Sequence, residues 1–481
     1  MREKYESLGL ADLKAIAKAR GLKGTSAMKK ADLVELMLAE DEKDKAEGKS
    51  VQPRGVMEKA EYKASPKSER AEARADRTEI KAERIDRNEA KNEDAKNEDD
   101  KYPAELDSGI AASGILEVMP DGYGFIRCEN YLPGDHDVYV APSQIRRFGL
   151  KTGDILEGNT RIRTQGEKFA ALLYVKSING YTPEEAAKRC NFEDMTPIFP
   201  NERLHLEMPG ASVAMRIMDL ISPVGKGQRG MIVSPPKAGK TTLLKDVAKS
   251  VKRNAPEVHL IILLIDERPE EVTDIKEAIE GPNVEVIYST FDELPEHHKR
   301  VAEMVIERGK RLVEHKKDVM ILIDSITRLT RAYNQTVPPS GRTLSGGLDP
   351  AALHMPKRFF GAARNMREGG SLTVLATALV DTGSKMDDVV YEEFKGTGNM
   401  ELVLDRKLSE KRVFPAIDIP KSGTRREDLL LSAEELEAIN IMRKALNGLK
   451  PEEAVDKILD MFAKTRNNQE FVNLVKKIKW I

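Results

Sequence analysis

The chain has 481 residues, of which 40% are hydrophobic and 33% charged, and its formal net charge is −2. This length predicts roughly three domains, and the balanced charge excludes binding to nucleic acid through a global basic excess. The only two cysteines, Cys128 and Cys190, exclude a disulfide framework. Together with an N-terminus that lacks an apolar signal region and the lack of any membrane-length apolar run, they predict a soluble cytoplasmic protein.

The first hundred residues predict two segments of different character. Residues 1–40 carry two amphipathic helical patterns separated by a turn at Gly21–Gly24, which predicts a helical module for packing or docking. Residues 41–107 alternate charges of both signs and contain few strong apolar residues. Such a segment buries too little surface to offset its ordering entropy, so we predict a charged low-complexity linker. A solvated helix held by ion pairs and a weak RNA-binding arm are alternatives.

Residues 108–178 are predicted to form a small β-barrel. Short strand patterns alternate there with turn residues. The predicted strands are 114–118, 123–126, 137–140, 154–156 and 169–175. Five strands in about seventy residues favour a barrel of this size.

One strand of this barrel carries a candidate site for single-stranded RNA. Tyr123 and Phe125 are two residues apart, which places both rings on one face of a strand, and glycines flank them. Stacking of a base on such a ring contributes roughly 1–3 kcal/mol. Further candidates for base or phosphate contacts are Arg127, Asp137, Tyr139, Arg146, Arg147 and Phe169. The alternative that Tyr123 and Phe125 belong to the barrel core stays open, since either face of a strand can be buried.

Residues 179–430 are predicted to form a parallel sheet flanked by helices, because apolar strands alternate with helical patterns. The expected strands are 230–233, 259–265, 284–287, 318–323 and 371–379, with shorter ones near 400–404 and 413–419. Residues 431–481 are predicted to be helical. A capping box begins at Ser432, and Pro451 is expected at the start of a helix.

The stretch from Ser234 to Thr241, which reads SPPKAGKT, predicts a phosphate-binding loop between a strand and a helix. Backbone N–H groups of such a loop point at phosphates, the side chain of Lys240 reaches the β- and γ-phosphates, and the Thr241 hydroxyl binds Mg²⁺. Ser234 stands where the first glycine of the pattern is usual. The predicted ATP contacts are Pro236, Lys237, Ala238, Gly239, Lys240, Thr241 and Thr242.

Two buried strand patterns end in carboxylates that are candidate catalytic residues. Glu267 follows the run from His259, and a carboxylate at that end of a strand can orient and activate the attacking water. Asp324 follows the run from Val319 and is placed to hold Mg²⁺ through its water shell. The alternative is that both are ordinary acids at strand ends.

Two loops and one arginine turn suggest contacts that form only in an assembly. The loops 338–347, which contain Arg342, Thr343 and Gly346, and 381–388, which contain Lys385, are polar, and each is cationic at one residue. In a ring, they would line a central hole and grip a nucleic-acid backbone; otherwise they are ordinary surface loops. Arg425 would stabilise the transferred phosphate across a subunit boundary, or it belongs to a solvated arginine pair.

These motifs together resemble the family of bacterial Rho transcription termination factors. The resemblance covers about residues 1–40 and 108–430. Its motifs are DGYGFIR at 121–127, YVAPSQIRRF at 139–148, PPKAGKT at 235–241, IDERPEEV at 265–272, DSITRL at 324–329, PKRFFGAAR at 356–364, and residues 381–400.

The resemblance implies a six-membered ring in which a cold-shock-like RNA-binding barrel of the OB fold stands above a RecA-like motor. It implies that this motor uses ATP and Mg²⁺ to move 5′-to-3′ along RNA and to release transcripts from RNA polymerase. It implies that Glu267 is the catalytic base, that Asp324 belongs to the Mg²⁺ shell, and that Arg425 is an arginine finger acting in trans. It also places Arg268 and Arg412 near the subunit boundary. The remaining implied roles are packing of Phe414 on adenine, a primary RNA site at Tyr123, Phe125, Arg127, Asp137, Tyr139 and Phe169, and a secondary RNA site in the loops 338–349 and 383–388.

Three positions depart from the family pattern. Arg342 stands where a Lys is found, Phe169 where a Tyr is found, and Ser234 where an Ala is found. Arg342 keeps the charge but changes its shape and hydration, whereas Phe169 loses a hydroxyl and keeps a ring for stacking.

Two further functions compete with an RNA-dependent ATPase and translocase. One is a nucleotide-gated RNA-binding protein that assembles but does not move along RNA. The other is a subunit of a rotary or secretion motor, which shares the ATPase core. The pair Tyr123 and Phe125 argues against the latter, because such motors need no barrel for base stacking.

Overall fold

The computed structural model describes residues 106–164, 166–446 and 451–478, together with residues 29–32, 34 and 36. The chain divides into two compact units, residues 1–96 and 97–481. In the first unit, the described residues from 30 onward are helical. The second helical pattern predicted within residues 1–40 therefore lies partly inside the described residues, whereas the first pattern and nearly all of the predicted linker lie outside them.

The second unit begins with a closed five-stranded barrel, as the sequence predicted. Its elements are β1 (Asp107–Val118), β2 (Gly124–Arg127), β3 (Val138–Val140), α1 (Pro142–Phe148), β4 (Ile155–Arg161) and β5 (Ala170–Ile178). The strands follow the order β1-β2-β3-β5-β4, in which β3 and β5 are parallel and the other described pairs are antiparallel.

Alternate residues of the barrel strands fill its interior. Leu116, Ile126, Val140 and Leu156 are fully buried in one hydrophobic cluster. Gly124 allows β1 and β2 to approach closely, because a Cβ at that position would lie 2.8 Å from the Leu116 Cδ1 atom. The apolar side of β2 therefore faces inward through Ile126, which leaves the neighbouring positions for the outer surface.

The motor region that follows is a mixed sheet flanked by helices. Its first half contains α2 (Pro183–Ala186), β6 (Pro197–Ile198), α3 (Val213–Ile221), β7 (Arg229–Ser234), α4 (Lys240–Asn254), β8 (His259–Glu267), α5 (Pro269–Ala278), β9 (Val284–Thr290) and α6 (Pro295–Glu314). Its second half contains β10 (Asp318–Asp324), α7 (Ile326–Thr336), α8 (His354–Gly361), β11 (Arg364–Met366), β12 (Ser371–Leu379), α9 (Lys385–Lys395), β13 (Met400–Val403), α10 (Arg406–Glu410) and β14 (Gly423–Thr424).

The sheet has the order β14-β13-β7-β12-β10-β8-β9, and the six strands from β13 to β9 are parallel. Parallel strands end at the same edge of a sheet, so the segments that follow β7, β8 and β10 meet there. This topology confirms the predicted α/β fold class. It also brings the phosphate loop next to both candidate carboxylates.

One strand prediction was wrong. Residues 413–419 form only an isolated bridge between Ile417 and Leu404. Pro415 removes one backbone N–H donor from this stretch, which interrupts a continuous ladder. The short strands β6, β11 and β14 have too few residues to show a period of two, and the sequence did not indicate them.

Three helices follow the sheet: α11 (Ala433–Leu446), α12 (Pro451–Ala463) and α13 (Asn468–Lys477). Ser432 and Glu435 exchange side-chain to backbone hydrogen bonds of 2.8 and 3.3 Å, which confirms the predicted capping box. The rings of Phe462 and Phe471 stack with centroids 3.9 Å apart. Arg216 of α3 donates a hydrogen bond of 3.2 Å to the carbonyl of Phe462, which ties these helices to the motor.

The barrel is packed directly against β9 and α6 of the motor. Asn130 exchanges two hydrogen bonds, of 2.7 and 3.1 Å, with the backbone of Tyr288. Gly153 has a φ of 95°, and a Cβ there would lie 2.5 Å from the backbone of Glu307. Only glycine therefore permits this approach. Among the residues that the structure describes, every helix is too short or too polar to cross a lipid bilayer.

Candidate active site and nucleic-acid interface

The loop between β7 and α4 has the conformation that a phosphate-binding loop requires. Lys237 and Gly239 have φ values of 63° and 92°, in the left-handed region that turns the chain tightly into the helix. Ser234, at the position of the departure noted above, is buried, and its hydroxyl donates to the Pro235 carbonyl at 2.9 Å. The loop thus brings Lys240 and Thr241 to the first turn of α4.

Lys240 lies between the two carboxylates that the sequence singled out. Its Nζ atom is 2.9 Å from Oε1 of Glu267 and 2.6 Å from Oδ1 of Asp324. Burial alone would lower the pKa of the ammonium, but the charges of Asp324 and Glu267 raise it above its ordinary value. The side chain therefore keeps its positive charge, and phosphate oxygens are the kind of acceptor that it can also bind.

Two residues that the sequence reasoning missed hold these carboxylates in place. Arg328 in α7 lies with Nη1 3.2 Å from Oε2 of Glu267. Thr377 in β12 donates a hydrogen bond of 2.8 Å to Oδ1 of Asp324. Arg328 was part of the DSITRL motif and carried a visible signal. Thr377 is a single hydroxyl in an apolar strand, and only the sheet order reveals its role.

The oxygen atoms near the loop suit a hard divalent cation. Asp324 is 1% exposed, and its Oδ2 atom is buried without a hydrogen-bond partner. The hydroxyl of Thr241 lies 3.3 Å from a carboxylate oxygen of Glu271. Carboxylate and hydroxyl oxygens are ligands that Mg²⁺ accepts, with phosphate and water oxygens supplying the others. The residues present therefore fit the ion.

A cavity of about 500 Å³ opens beside the phosphate loop. It is lined by Ser212, Val213, Ala214, Lys237, Ala238, Gly239, Thr242, Leu243, Asp246, Leu404, Phe414, Pro415 and Ala416. The ring of Phe414 is 49% exposed, unusual for a side chain of this size, and lies 4.0 Å from where a Cβ of Gly239 would be. An open aromatic face next to a phosphate loop is suited to packing on a nucleotide base.

Two of the three candidate arginines follow the edge of the sheet that carries the phosphate loop, and the third lies at the opposite edge. Arg268 directly follows Glu267, and Arg412 precedes the cavity residue Phe414; both are exposed. Arg425 is also exposed and directly follows β14. Thr424 of β14 pairs with Met400, the first residue of β13, and Met400 in turn pairs with Gly230 near the amino end of β7. The phosphate loop follows the other end of β7, so Arg425 lies on the opposite edge of the sheet from its own phosphate loop.

Arg425 belongs to a group of arginines around a second cavity of about 300 Å³. Arg229 and Arg364 line the same cavity. Burial lowers the pKa of Arg229, and the positive charges of Arg364 and Arg425 lower it further. Arg229 is held by backbone carbonyls of Thr397 and Ala363 at 3.1 and 3.0 Å. The group is therefore a concentrated positive charge, which suits an anionic ligand.

On the barrel, four aromatic side chains form one continuous cluster. Phe125 lies 5.8 Å from Tyr123, 6.0 Å from Tyr139 and 5.1 Å from Phe169, measured between ring centroids. All four side chains are half-buried on the outer surface, whereas Ile126, next to Phe125, fills the core. This arrangement excludes the alternative that Tyr123 and Phe125 are core residues. Four neighbouring rings open to solvent are suited to stacking with unpaired bases.

A buried ion pair supports the underside of this aromatic cluster. The guanidinium of Arg127 lies 4.9 Å from the ring centroid of Phe125 and pairs with the carboxylates of Asp137 and Glu117. Arg127 is 6% exposed, so it positions the ring rather than reaching for a phosphate. Oδ1 of Asp137 is buried without a hydrogen-bond partner. Arg146, in the last turn of α1, is exposed.

The two polar loops of the motor lie against each other. A Cβ at Gly346, where φ is 78°, would lie 2.4 Å from the backbone nitrogen of Met386. Arg342, Thr343 and Lys385 are exposed on these loops. The structure therefore joins two segments about forty residues apart in sequence into one exposed polar surface that carries the cations Arg342 and Lys385, and such side chains are suited to contacts with a nucleic-acid backbone.

The fold and site define a P-loop ATPase of the RecA-like class that also carries an OB-type RNA-binding barrel. Sequence comparison agrees. Residues 214–424 match the nucleotide-binding domain of the ATP synthase alpha/beta family, residues 112–184 the RNA-binding domain of the Rho termination factor, and residues 4–43 the N-terminal domain of that factor.

The particular family follows from curated relatives. Transcription termination factor Rho of Pseudomonas aeruginosa is 57% identical over 373 residues, which cover 76% of this chain and 88% of that protein. The factor of the same name from Bacillus subtilis is 56% identical over 376 residues, which cover 78% and 87%. The chain belongs to the Rho transcription termination factor family, and it is an RNA-binding ATPase.

A solved structure supports the fold of the motor. A prototypical ATPase from the type III secretion system of pathogenic bacteria superimposes with a TM-score of 0.50 at 20% sequence identity, covering 66% of this chain and 93% of that one. At this identity the likeness concerns the fold.

Proposed function

We propose that this protein is a transcription termination factor that works as an RNA-dependent ATPase and a hexameric 5′-to-3′ RNA translocase. In this proposal, the protein acts in the cytoplasm and releases nascent transcripts from RNA polymerase. The observation that carries the proposal is that one compact unit contains both a four-ring cluster for bases and an ATP site with its carboxylates in place. A protein that only bound RNA would need no such ATP site.

The proposed domain organisation assigns each activity to one segment. Residues 108–178 bind RNA, and residues 179–430 are the motor. Residues 1–40, 41–107 and 431–481 form a helical module, a linker and a C-terminal helical region. The close packing of Gly153 against α6 supports the transmission of force between barrel and motor.

In the proposed reaction, the oxygen of a water molecule attacks the γ-phosphorus while the bond to the β-bridging oxygen breaks. Glu267 accepts the proton of that water, because its carboxylate is held at the strand end by Lys240 and Arg328. Lys240 balances the charge on the β- and γ-phosphates. Phe414 holds the adenine, and Lys237 and Thr242 line the same cavity.

Mg²⁺ bound with ATP would be held by the Thr241 hydroxyl and, through water, by Asp324, and it would neutralise charge on the phosphates. The unpartnered Oδ2 atom of Asp324 supports this assignment. Thr377 keeps the other oxygen of this carboxylate fixed, so the free oxygen has a defined direction.

Arg425 is proposed to act on the ATP of a neighbouring subunit. It lies beyond the amino end of β7, and the strand itself separates it from its own phosphate loop by about 13 Å at roughly 3.3 Å per residue. Arg229 and Arg364 add positive charge beside it. Arg268 and Arg412, exposed near the cavity, are proposed to meet the same boundary from the opposite subunit.

The RNA path is proposed to have two parts. Unpaired bases stack on the aromatic cluster of the barrel, where Asp137 offers an acceptor to a base edge. The backbone then passes the polar surface formed by Arg342, Thr343, Gly346 and Lys385, which lines the ring channel. Arg342 offers a planar fork in place of a point charge, and this favours bidentate contact with phosphate.

Strand displacement tests the translocase directly. An RNA with an unpaired pyrimidine-rich 5′ tail, annealed to a DNA oligonucleotide, should lose the DNA when ATP is added. The matched duplex with a 3′ tail should stay intact, and so should the first duplex with the Lys240→Ala variant. If ATP is hydrolysed in response to RNA but neither duplex opens, the protein is a nucleotide-gated RNA-binding protein and not a translocase.

A further inference from the structure

One carboxylate oxygen on the barrel is shared by two arginines from different parts of the molecule. Oε2 of Glu117 lies 2.7 Å from Nε and 2.6 Å from Nη2 of Arg127, which belongs to the barrel. The same oxygen lies 2.7 Å from Nη2 of Arg300, which belongs to the motor helix α6. Three N–H donors from two domains therefore compete for one acceptor atom.

On the barrel side, Glu117 is connected to the aromatic cluster through Arg127. Arg127 supports the ring of Phe125 and pairs at its other end with Asp137. The guanidinium of Arg127 lies against the ring of Phe125, so a base that stacks on Phe125 shifts Arg127 relative to Glu117. This shift changes how Arg127 shares the Oε2 atom that Arg300 also uses.

On the motor side, Glu117 is connected to the ATP site through contacts of the helices α6 and α7. Arg300 lies one turn before Glu303 on α6, and Glu303 accepts a hydrogen bond of 2.6 Å from the hydroxyl of Tyr333 on α7. The same helix α7 carries Arg328, which holds Glu267. A displacement of α6 relative to the barrel is therefore passed to the helix that positions the proposed catalytic base.

On the motor side of Glu117, the side chain of Arg300 also lacks a full set of hydrogen bonds. Nε of Arg300 is buried without a hydrogen-bond partner. Unsatisfied buried groups at both ends, on Asp137 and on Arg300, mean that the arrangement is not held by a full set of bonds. When the charge around Glu117 is redistributed, the arginines on either side of it can therefore change their hydrogen bonds.

We propose that Glu117 is a positioning residue through which RNA bound on the barrel and nucleotide bound on the motor affect each other. The proposal rests on the proposed function, since it requires both ligands. Bases that stack on Phe125 shift the guanidinium of Arg127 against Glu117 and weaken the bond from Arg300, so α6 gains freedom to adjust to the nucleotide. By linkage, nucleotide binding changes RNA affinity by the same factor.

The test measures this factor in the full-length protein. The dissociation constant of a fluorescent cytidine oligonucleotide is determined by anisotropy with and without a non-hydrolysable ATP analogue. For the unmodified protein, we expect the two constants to differ by about 5-fold or more, the lower end of typical allosteric coupling. Arg300→Gln should reduce the ratio to within about 2-fold of unity, and Arg300→Lys, which keeps a charge, should restore part of it.

The matched control is Lys151→Gln. Lys151 also joins barrel to motor, through an ion pair of 3.0 Å with Glu314, and its other described bonds, to Asp154 and Asn191, lie outside the aromatic cluster. This variant should keep the ratio of the unmodified protein. If it loses the ratio as Arg300→Gln does, the effect is a general loosening of the interface and the proposal is wrong.

Two other outcomes separate this inference from the proposed function. If the unmodified protein binds RNA and hydrolyses ATP in response to it, but the ratio is unity or survives Arg300→Gln, the coupling through Glu117 is refuted and the proposed function stands. If the unmodified protein neither binds the oligonucleotide nor responds to RNA, the proposed function fails and this inference fails with it.

Discussion

Replacement of Lys240 by Ala removes the positive charge that two buried carboxylates share. Glu267 and Asp324 are 3% and 1% exposed, so neither can be solvated in place of the lost ammonium. Breaking a buried ion pair from one side costs about 3–5 kcal/mol. We expect the lower value, about 3 kcal/mol, because Arg328 and Thr377 still bond these carboxylates. At about 2–4 °C per kcal/mol, the melting transition of the motor should fall by roughly 6–12 °C.

The same variant should lose ATP turnover while keeping RNA binding. Removal of one preorganised charge at a transferring phosphate costs about 10²–10³-fold in rate, so steady-state hydrolysis should fall by at least that factor. Without nucleotide, oligonucleotide affinity should change by less than about 2-fold, because Lys240 does not contact the aromatic cluster. Turnover within tenfold of the unmodified protein, or loss of RNA binding, would refute the reasoning.

The control for this variant lies on the same helix. Lys245 pairs with Asp274 at 2.6 Å, and the Asp274 side chain is 56% exposed. Such a surface pair contributes at most about 1 kcal/mol. Lys245→Ala should therefore leave turnover unchanged, and a similar loss in both variants would point to damage of the helix as a whole.

Four further predictions follow from the same geometry. Phe125→Ala should weaken oligonucleotide binding by about 5- to 100-fold, since each stacked base contributes roughly 1–3 kcal/mol; anisotropy measures this, and an unchanged affinity would contradict stacking. Phe414→Ala should raise KM for ATP with little change in kcat, because base packing contributes equally to ground and transition states. Arg425→Ala should lower kcat by about 10³-fold or more, and mixing it with Lys240→Ala subunits should regain activity, since some sites then receive both residues; no recovery would argue against action in trans. Gly153→Ala should lower the melting temperature of the barrel and motor together, because its Cβ would lie 2.5 Å from a backbone carbon.

The phosphate loop and the strands around it could be predicted from the sequence because their signals are local. An apolar run that ends in Glu267 or Asp324 predicts both a buried strand and a carboxylate at its end. Parallel strands finish at one edge, so the meeting of these carboxylates with Lys240 follows from the fold class alone. The aromatic pair at 123 and 125 could also be recognised in the sequence. Whether these rings face the barrel core or the outer surface could not be predicted, because alternation along a strand does not tell its two faces apart.

The remaining features depend on which segments the fold brings together. Thr377 bonds Asp324 only because β12 lies beside β10 in the sheet. The contact between Gly346 and the start of α9 joins two loops whose sequences give no sign of each other. The sharing of Glu117 by Arg127 and Arg300 joins positions 183 residues apart and required the packing of the barrel on α6.

The most direct test of the account is steady-state ATP hydrolysis with and without poly(C), compared with the variant that carries both Tyr123→Ala and Phe125→Ala. The account predicts strong stimulation by poly(C) that the double substitution greatly reduces, while hydrolysis without RNA stays the same in both proteins. Hydrolysis that is indifferent to RNA in the unmodified protein would contradict it, because the aromatic cluster would then have no link to the motor.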